Sequence, residues 1–247
     1  FEKYIEWGKN LINNINNHKL YIFTDKNTKE LISSLIEGKN NIEIIEREFT
    51  SFYYYRYKLL LKNNTCKDYF PNHNISFKLI LLWLERHILF KEIQELVKSD
   101  FYCYIDWGYF RLNQKHINWC SNILNKLSED KLYFALIIND IIYLKNIIKI
   151  VEKNKPIKDD INDLLVDNII SIGGGCSVIP NKKIDYWVNC YIKQLNYYME
   201  NSYNVKDDQI VLASVIFKKE NIRNFKLISE INSLPFINYF KEQLNNN

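Results

Sequence analysis

The chain has 247 residues, 47% of them hydrophobic and 25% charged, which is the composition of a globular protein large enough to bury one substantial core. Thirty-three Lys and Arg against 29 Asp and Glu leave a formal charge of +4, too small and too evenly mixed for a protein that tracks a nucleic-acid backbone. No apolar run reaches the roughly 18 to 20 residues of a membrane-spanning helix, since the stretch Leu132 to Val151 is interrupted by Asn139, Asp140, Lys145 and Lys149.

The opening segment places Tyr4, Ile5, Leu11, Ile12 and Ile15 at helical spacing, then runs into Leu20-Tyr21-Ile22-Phe23-Thr24, a short strand-forming stretch closed by Asp25. A second helix is predicted over Thr28 to Ile36, ending near Gly38, and a second strand over Asn41 to Ile45. After the aromatic stretch Phe52 to Leu61 and a loop around Pro71, the spacing predicts one long helix from Phe77 to Val97. Phe101 to Ile105 has the short, nearly uncharged character of a central strand, and Asp106 follows at once. Leu132 to Ile138 fits a strand or a buried helix. Asn168 to Ile172 reads as a strand entering Gly173-Gly174-Gly175, and Lys183 to Glu200 returns to helical spacing through Trp187, Tyr191, Leu195 and Tyr198. The alternation predicts an α/β fold, a single domain over residues 1–247 with a mostly parallel central sheet flanked by helices. Ligands of such sheets sit beyond the carboxyl ends of the strands.

Five cysteines (Cys66, Cys103, Cys120, Cys176 and Cys190) form no Cys-x-x-Cys pair, so neither a disulfide framework nor a zinc ribbon is written into the chain. Reduced thiols and a cytoplasmic location are the expectation. The four histidines, His18, His73, His87 and His116, show no His-x-x-His or His-Glu pairing, and no cysteine has an evident base beside it, which leaves zinc hydrolysis and Cys proteolysis unsupported. The aromatics around Tyr54 and Tyr55 read as core.

Three stretches can carry chemistry. In Tyr104-Ile105-Asp106-Trp107-Gly108-Tyr109-Phe110-Arg111, a carboxylate leaving a strand can hold a divalent cation, with Arg111 reaching an anion; equally, Asp106 can cap the turn and Arg111 pair on the surface. In Gly173-Gly174-Gly175 the lost chain entropy implies either close approach of a ligand to the backbone or a tight turn. Asp207-Asp208-Gln209, ahead of the apolar run Ile210 to Phe217, reads on its own as a helix cap.

Taken together, these stretches, with Tyr4-Ile5-Glu6-Trp7 and Leu20 to Asp25, resemble the HtrL/YibB family, assigned to the type A glycosyltransferase fold. The family's central stretch reads aromatic, Ile or Leu, Asp, small residue, Gly; here the small position is Trp107, and Gly108 stands where type A enzymes carry the second acid of Asp-x-Asp. The resemblance implies a nucleotide-sugar-dependent transferase acting on a glycan or polysaccharide, with Asp106 toward Mn²⁺ or Mg²⁺ and Thr24 and Asp25 near the nucleotide base. It further implies Arg86 and Arg111 toward phosphate, Gly173, Gly174, Gly175 and Gln209 bordering sugar and acceptor, and Asp208 orienting or activating the acceptor hydroxyl. It also implies that the usual first strand lies upstream of Phe1. Gly108 admits a second reading, a catalytically silent nucleotide- or carbohydrate-binding module on the same fold.

Overall fold

A computed structural model of the chain describes residues 2–15, 18–65, 76–110, 127–137, 141–152, 172–201, 205 and 207–229. These divide into two compact units: the described residues of Phe1–Phe52 with Ile105–Leu127, and those of Tyr53–Tyr104 with Ser128–Pro235.

The first unit begins with helix α1 (Glu2–Asn14), whose Leu11 and Ile12 are buried together with Ile15 just beyond it. Strand β1 (Leu20–Thr24) pairs in parallel with β2 (Ile42–Glu46), from Leu20 opposite Ile42 to Thr24 opposite Glu46. Helix α2 (Lys26–Leu35) makes the crossover, held at its start by Asp25 and followed by Gly38, whose φ of 76° is the left-handed conformation that glycine adopts without strain. The Asn41 side-chain amide donates to the carbonyls of Ile15 (2.8 Å) and His18 (2.9 Å), so the end of α1 and the entry to β2 are fixed together.

In the second unit, β3 (Phe101–Ile105), β4 (Leu132–Leu136), β5 (Ile172–Pro180) and β6 (Phe225–Ser229) form a sheet in the order β3-β5-β4-β6. β4 is antiparallel to β5 and parallel to β6, so this sheet is mixed. The fold is therefore α/β, and the described strands form two sheets where the sequence predicts one mostly parallel sheet. β3, expected to be central, stands at one end of the strand order among the described residues, with Cys103 exposed. The three glycines lie inside β5 and not in a turn after it: Phe134 pairs with Ser177 but Ala135 with Gly173, so Gly174, Gly175 and Cys176 are additional residues bulging from the ladder. Residues 168–171 of the expected strand lie outside the described residues.

Helices α3 (Lys58–Thr65), α4 (Phe77–Glu85), α5 (Leu89–Leu96), α6 (Ile141–Glu152), α7 (Ile184–Glu200) and α8 (Asp208–Ile216) complete this unit. The stripe Trp187, Tyr191, Leu195 and Tyr198 on α7 is fully buried, as its spacing predicts, and Tyr54 is buried as well. α8 is buried through Val211, Leu212, Ala213, Val215 and Ile216 as well as through Asp208 and Ser214. The expected helix Phe77 to Val97 is two helices separated by a turn at Arg86–Ile88, where the Ile88 amide donates to the Glu85 carbonyl at 2.8 Å. No helix among the described residues is long and apolar enough to cross a membrane.

Candidate functional site

Two clusters bring the expected site residues together, one in each unit. In the first unit β1 ends at Thr24, and Asp25 accepts hydrogen bonds from the Thr28 amide (2.9 Å) and hydroxyl (3.1 Å). Asp25 is thus the N-cap of α2, a role that satisfies amides left open in the first helical turn. Thr24 and Thr28 line a cavity of about 300 Å³ with Tyr4, Ile5, Phe23 and Trp107 among its other walls, a volume at the small end of ligand sites.

Trp107 is held there by two features. Its indole N–H donates to the Tyr4 carbonyl at 2.8 Å, and its ring lies against Gly8, where a Cβ would overlap the six-membered ring. Glycine inside a helix costs about 1 kcal/mol relative to Ala, and here the missing side chain makes room for a tryptophan. The bulky Trp107 is therefore accommodated by a glycine 99 positions earlier. Asp106, adjacent to Trp107, is half-buried, and its carbonyl accepts from the Tyr109 amide at 2.9 Å in the turn that follows β3. Among the described residues no three His, Cys, Asp or Glu side chains gather to hold a metal ion. Arg111 lies outside the described residues.

The second cluster is buried. Arg86 donates to Asp208 Oδ2 through Nε at 2.8 Å and also through Nη2, and His87 Nε2 lies 2.8 Å from the same oxygen. Arg86, His87 and Asp208 are 4%, 1% and 1% exposed, so the expected phosphate contact and the expected base both face the interior and each other. The Arg86 guanidinium also stacks over the Tyr104 ring, 5.2 Å from its centroid. Burial alone raises a carboxyl, but the Arg86 charge and the His87 hydrogen bond outweigh it and hold Asp208 below the usual carboxylate range. Burial lowers His87 more than Asp208 raises it, so the imidazole is neutral. With an ionised carboxylate opposite, Nε2 must carry the proton and donate, which leaves Nδ1 buried as an acceptor.

Gly174 belongs to this cluster, because a Cβ there would overlap the Arg86 guanidinium and approach Asp208 Oδ2 to 3.0 Å. The close approach expected at the glycines is made by Arg86. Gly173 sits against Ala135, with a Cβ placed 3.1 Å from that methyl, and Gly175 continues the same strand. The cap of α8 is Asp207, which accepts from the amides of Gln209 (3.0 Å) and Ile210 (3.3 Å), while Asp208 turns inward.

Three further residues contribute to these clusters. His87 has its partner 121 positions away, Glu85 accepts from the Tyr53 amide at 2.9 Å, and Gly8 receives Trp107. A signal for the first two was present: Glu85-Arg86-His87 are consecutive polar residues within an otherwise apolar run from Leu79 to Phe90. Ionisable groups in such a run are buried only when paired. Compared with family models, curated proteins and solved structures, the chain matches none.

Proposed function

We propose that the protein is a nucleotide-sugar-dependent glycosyltransferase that resembles the HtrL/YibB family and transfers a hexosyl group to a glycan acceptor. The observation that carries the reading is the cavity of the first unit. Its walls come from Tyr4-Ile5, Phe23-Thr24 and Trp107, that is, from three of the sequence stretches on which the resemblance rests. A nucleotide base is a flat heterocycle that stacks on aromatic rings and hydrogen-bonds at its edge, and Trp107, Thr24 and Thr28 offer those contacts.

The chemistry asks little else of the chain. Glycosyl transfer passes through an oxocarbenium-like transition state, and the main demand is to stabilise the departing diphosphate. Asp106, next in sequence to the cavity residue Trp107, supplies one carboxylate on this reading. Mn²⁺ or Mg²⁺ prefers six oxygen ligands, so one carboxylate fits a cation carried in by the donor's diphosphate and completed by water, which would neutralise the leaving group. Asp208 acts on this reading as a positioning residue that fixes Arg86.

A second reading, a silent nucleotide- or carbohydrate-binding module, is favoured by the burial of Asp208 and by Gly108 in place of a second acid. Thermal-shift titration with nucleoside diphosphates, with and without Mn²⁺, followed by hydrolysis and transfer assays on the corresponding nucleotide sugars, separates the two. Ligand binding with turnover supports the transferase, and binding without turnover supports the module. No shift with any nucleotide sinks both. Trp107→Ala should weaken nucleotide binding by about tenfold or more, since stacking on a base contributes roughly 1 to 3 kcal/mol, while Trp107→Phe retains most of it.

A further inference from the structure

Cys103 on β3 and Cys176 on β5 lie on neighbouring strands of the mixed sheet, and their sulfur atoms are 3.9 Å apart. Cys103 is exposed and Cys176 is buried, so one thiol is open to solution and the second waits behind it. Cys176 is also the last of the three residues that bulge from the β4–β5 ladder, where β5 departs from its register with β4. A disulfide needs the sulfurs at about 2.0 Å, a closure of roughly 2 Å that side-chain rotation and a small shift of the bulge can supply.

We propose that Cys103 and Cys176 form a reversible redox site, a dithiol that closes to a disulfide when a hydroperoxide reaches the exposed Cys103. The Cys103 thiolate attacks the terminal peroxide oxygen, breaks the O–O bond and becomes a sulfenic acid as the other oxygen leaves as hydroxide, or as alkoxide from an organic peroxide. Cys176, giving up its proton, attacks the Cys103 sulfur and expels that oxygen as water. With hydrogen peroxide the sum is two thiols and one peroxide to one disulfide and two waters, the sulfurs supplying the two electrons. A dithiol reductant returns both thiols. Once formed, the bond ties β3 to β5 next to Gly174 and Tyr104, the two residues that flank the Arg86 guanidinium.

The test uses the folded full chain treated with hydrogen peroxide, alkylated, digested without reductant and mapped by mass spectrometry. The expected result is one cross-linked species joining the Cys103 and Cys176 peptides, two hydrogen atoms lighter than their sum and reversed by dithiothreitol. Cys103→Ser, at an exposed position, abolishes it, and Cys190→Ser leaves it unchanged. Accumulation of Cys103 as sulfinic acid with Cys176 alkylated, pairing of Cys103 with Cys66, Cys120 or Cys190, or no oxidation of Cys103 at a peroxide dose that oxidises glutathione would each overturn the proposal. The readout is independent of nucleotide binding and transfer.

Discussion

Two adjacent carboxylates at the start of α8 meet opposite environments, because the first helical turn directs Asp207 to open backbone amides and Asp208 to the Arg86 guanidinium. A cap and a buried counter-ion respond differently to the same substitution. Asp207→Asn should leave the melting temperature nearly unchanged, since Asn caps about as well as Asp. Asp208→Asn removes the Asp208 charge from the buried Arg86 guanidinium, at a cost of about 3 to 5 kcal/mol, which for a chain of this size lowers the midpoint by roughly 10 °C. Calorimetry of the two variants checks this. A wild-type melting temperature for Asp208→Asn, with turnover reduced on the order of 10² to 10⁴, would instead return Asp208 to the role of general base.

At the scale of elements, what the sequence announces are the short runs bounded by punctuation. β1 and β2 with α2 between them, β3, β4 and the buried stripe of α7 all stand within a few residues of their predicted places. What it conceals is set by partners far along the chain. The break between α4 and α5 has no Gly or Pro, and the apolar phase carries on through Leu84, Leu89 and Phe90. The turn is fixed by Glu85, Arg86 and His87 reaching the Tyr53 amide and Asp208. Likewise Gly173 to Gly175 have the composition of a turn, yet they lie inside β5, a strand placed between β3 and β4 in the sheet. β6 had only a five-residue run to mark it and owes its place to pairing with β4. The candidate site follows the same division: Thr24, Asp25 and Trp107 lie in stretches that the sequence marks, whereas the meeting of Arg86, Asp208 and His87 depends on partners more than 120 positions apart. The bulge in β5 yields a graded prediction. Gly174→Ala forces a methyl into the guanidinium and should cost about 1 to 3 kcal/mol or more, whereas Gly173→Ala meets the Ala135 methyl and the Ile137 side chain at 3.1 to 3.3 Å, without overlap, and should cost less. Chemical denaturation that ranked the two in the reverse order would show that the guanidinium yields to a methyl and that Gly174 is not required for room around Arg86.

At the scale of the described molecule, exposed ion pairs and the buried Arg86–Asp208–His87 cluster contribute very differently to stability. The pairs Lys19–Glu43, Lys29–Glu46, Lys91–Asp185 and Lys182 with Glu129 and Asp130 are solvent-exposed and screened by salt, so each adds little to stability. The Arg86–Asp208–His87 cluster is buried and little screened. His87 is lowered on folding from its ordinary 6.5, so the unfolded chain binds this proton more readily. Its contribution to stability is complete above pH 6.5 and is lost as pH falls below that value toward the depressed folded one. Asp208 is lowered from 3.8, so its contribution begins to decline only below that value and is gone once the folded group has titrated. Stability should therefore fall on acidification in two stages, the first starting near pH 6.5, with little change on adding about 0.5 M salt. His87→Gln can still donate from a side-chain N–H to Asp208 but does not titrate, and it should remove the first stage while leaving the second. Melting temperatures of wild type and His87→Gln between pH 8 and 3, at low and high salt, decide the matter. A first stage that persists in His87→Gln, or that vanishes in salt, would assign the acid sensitivity to surface charge.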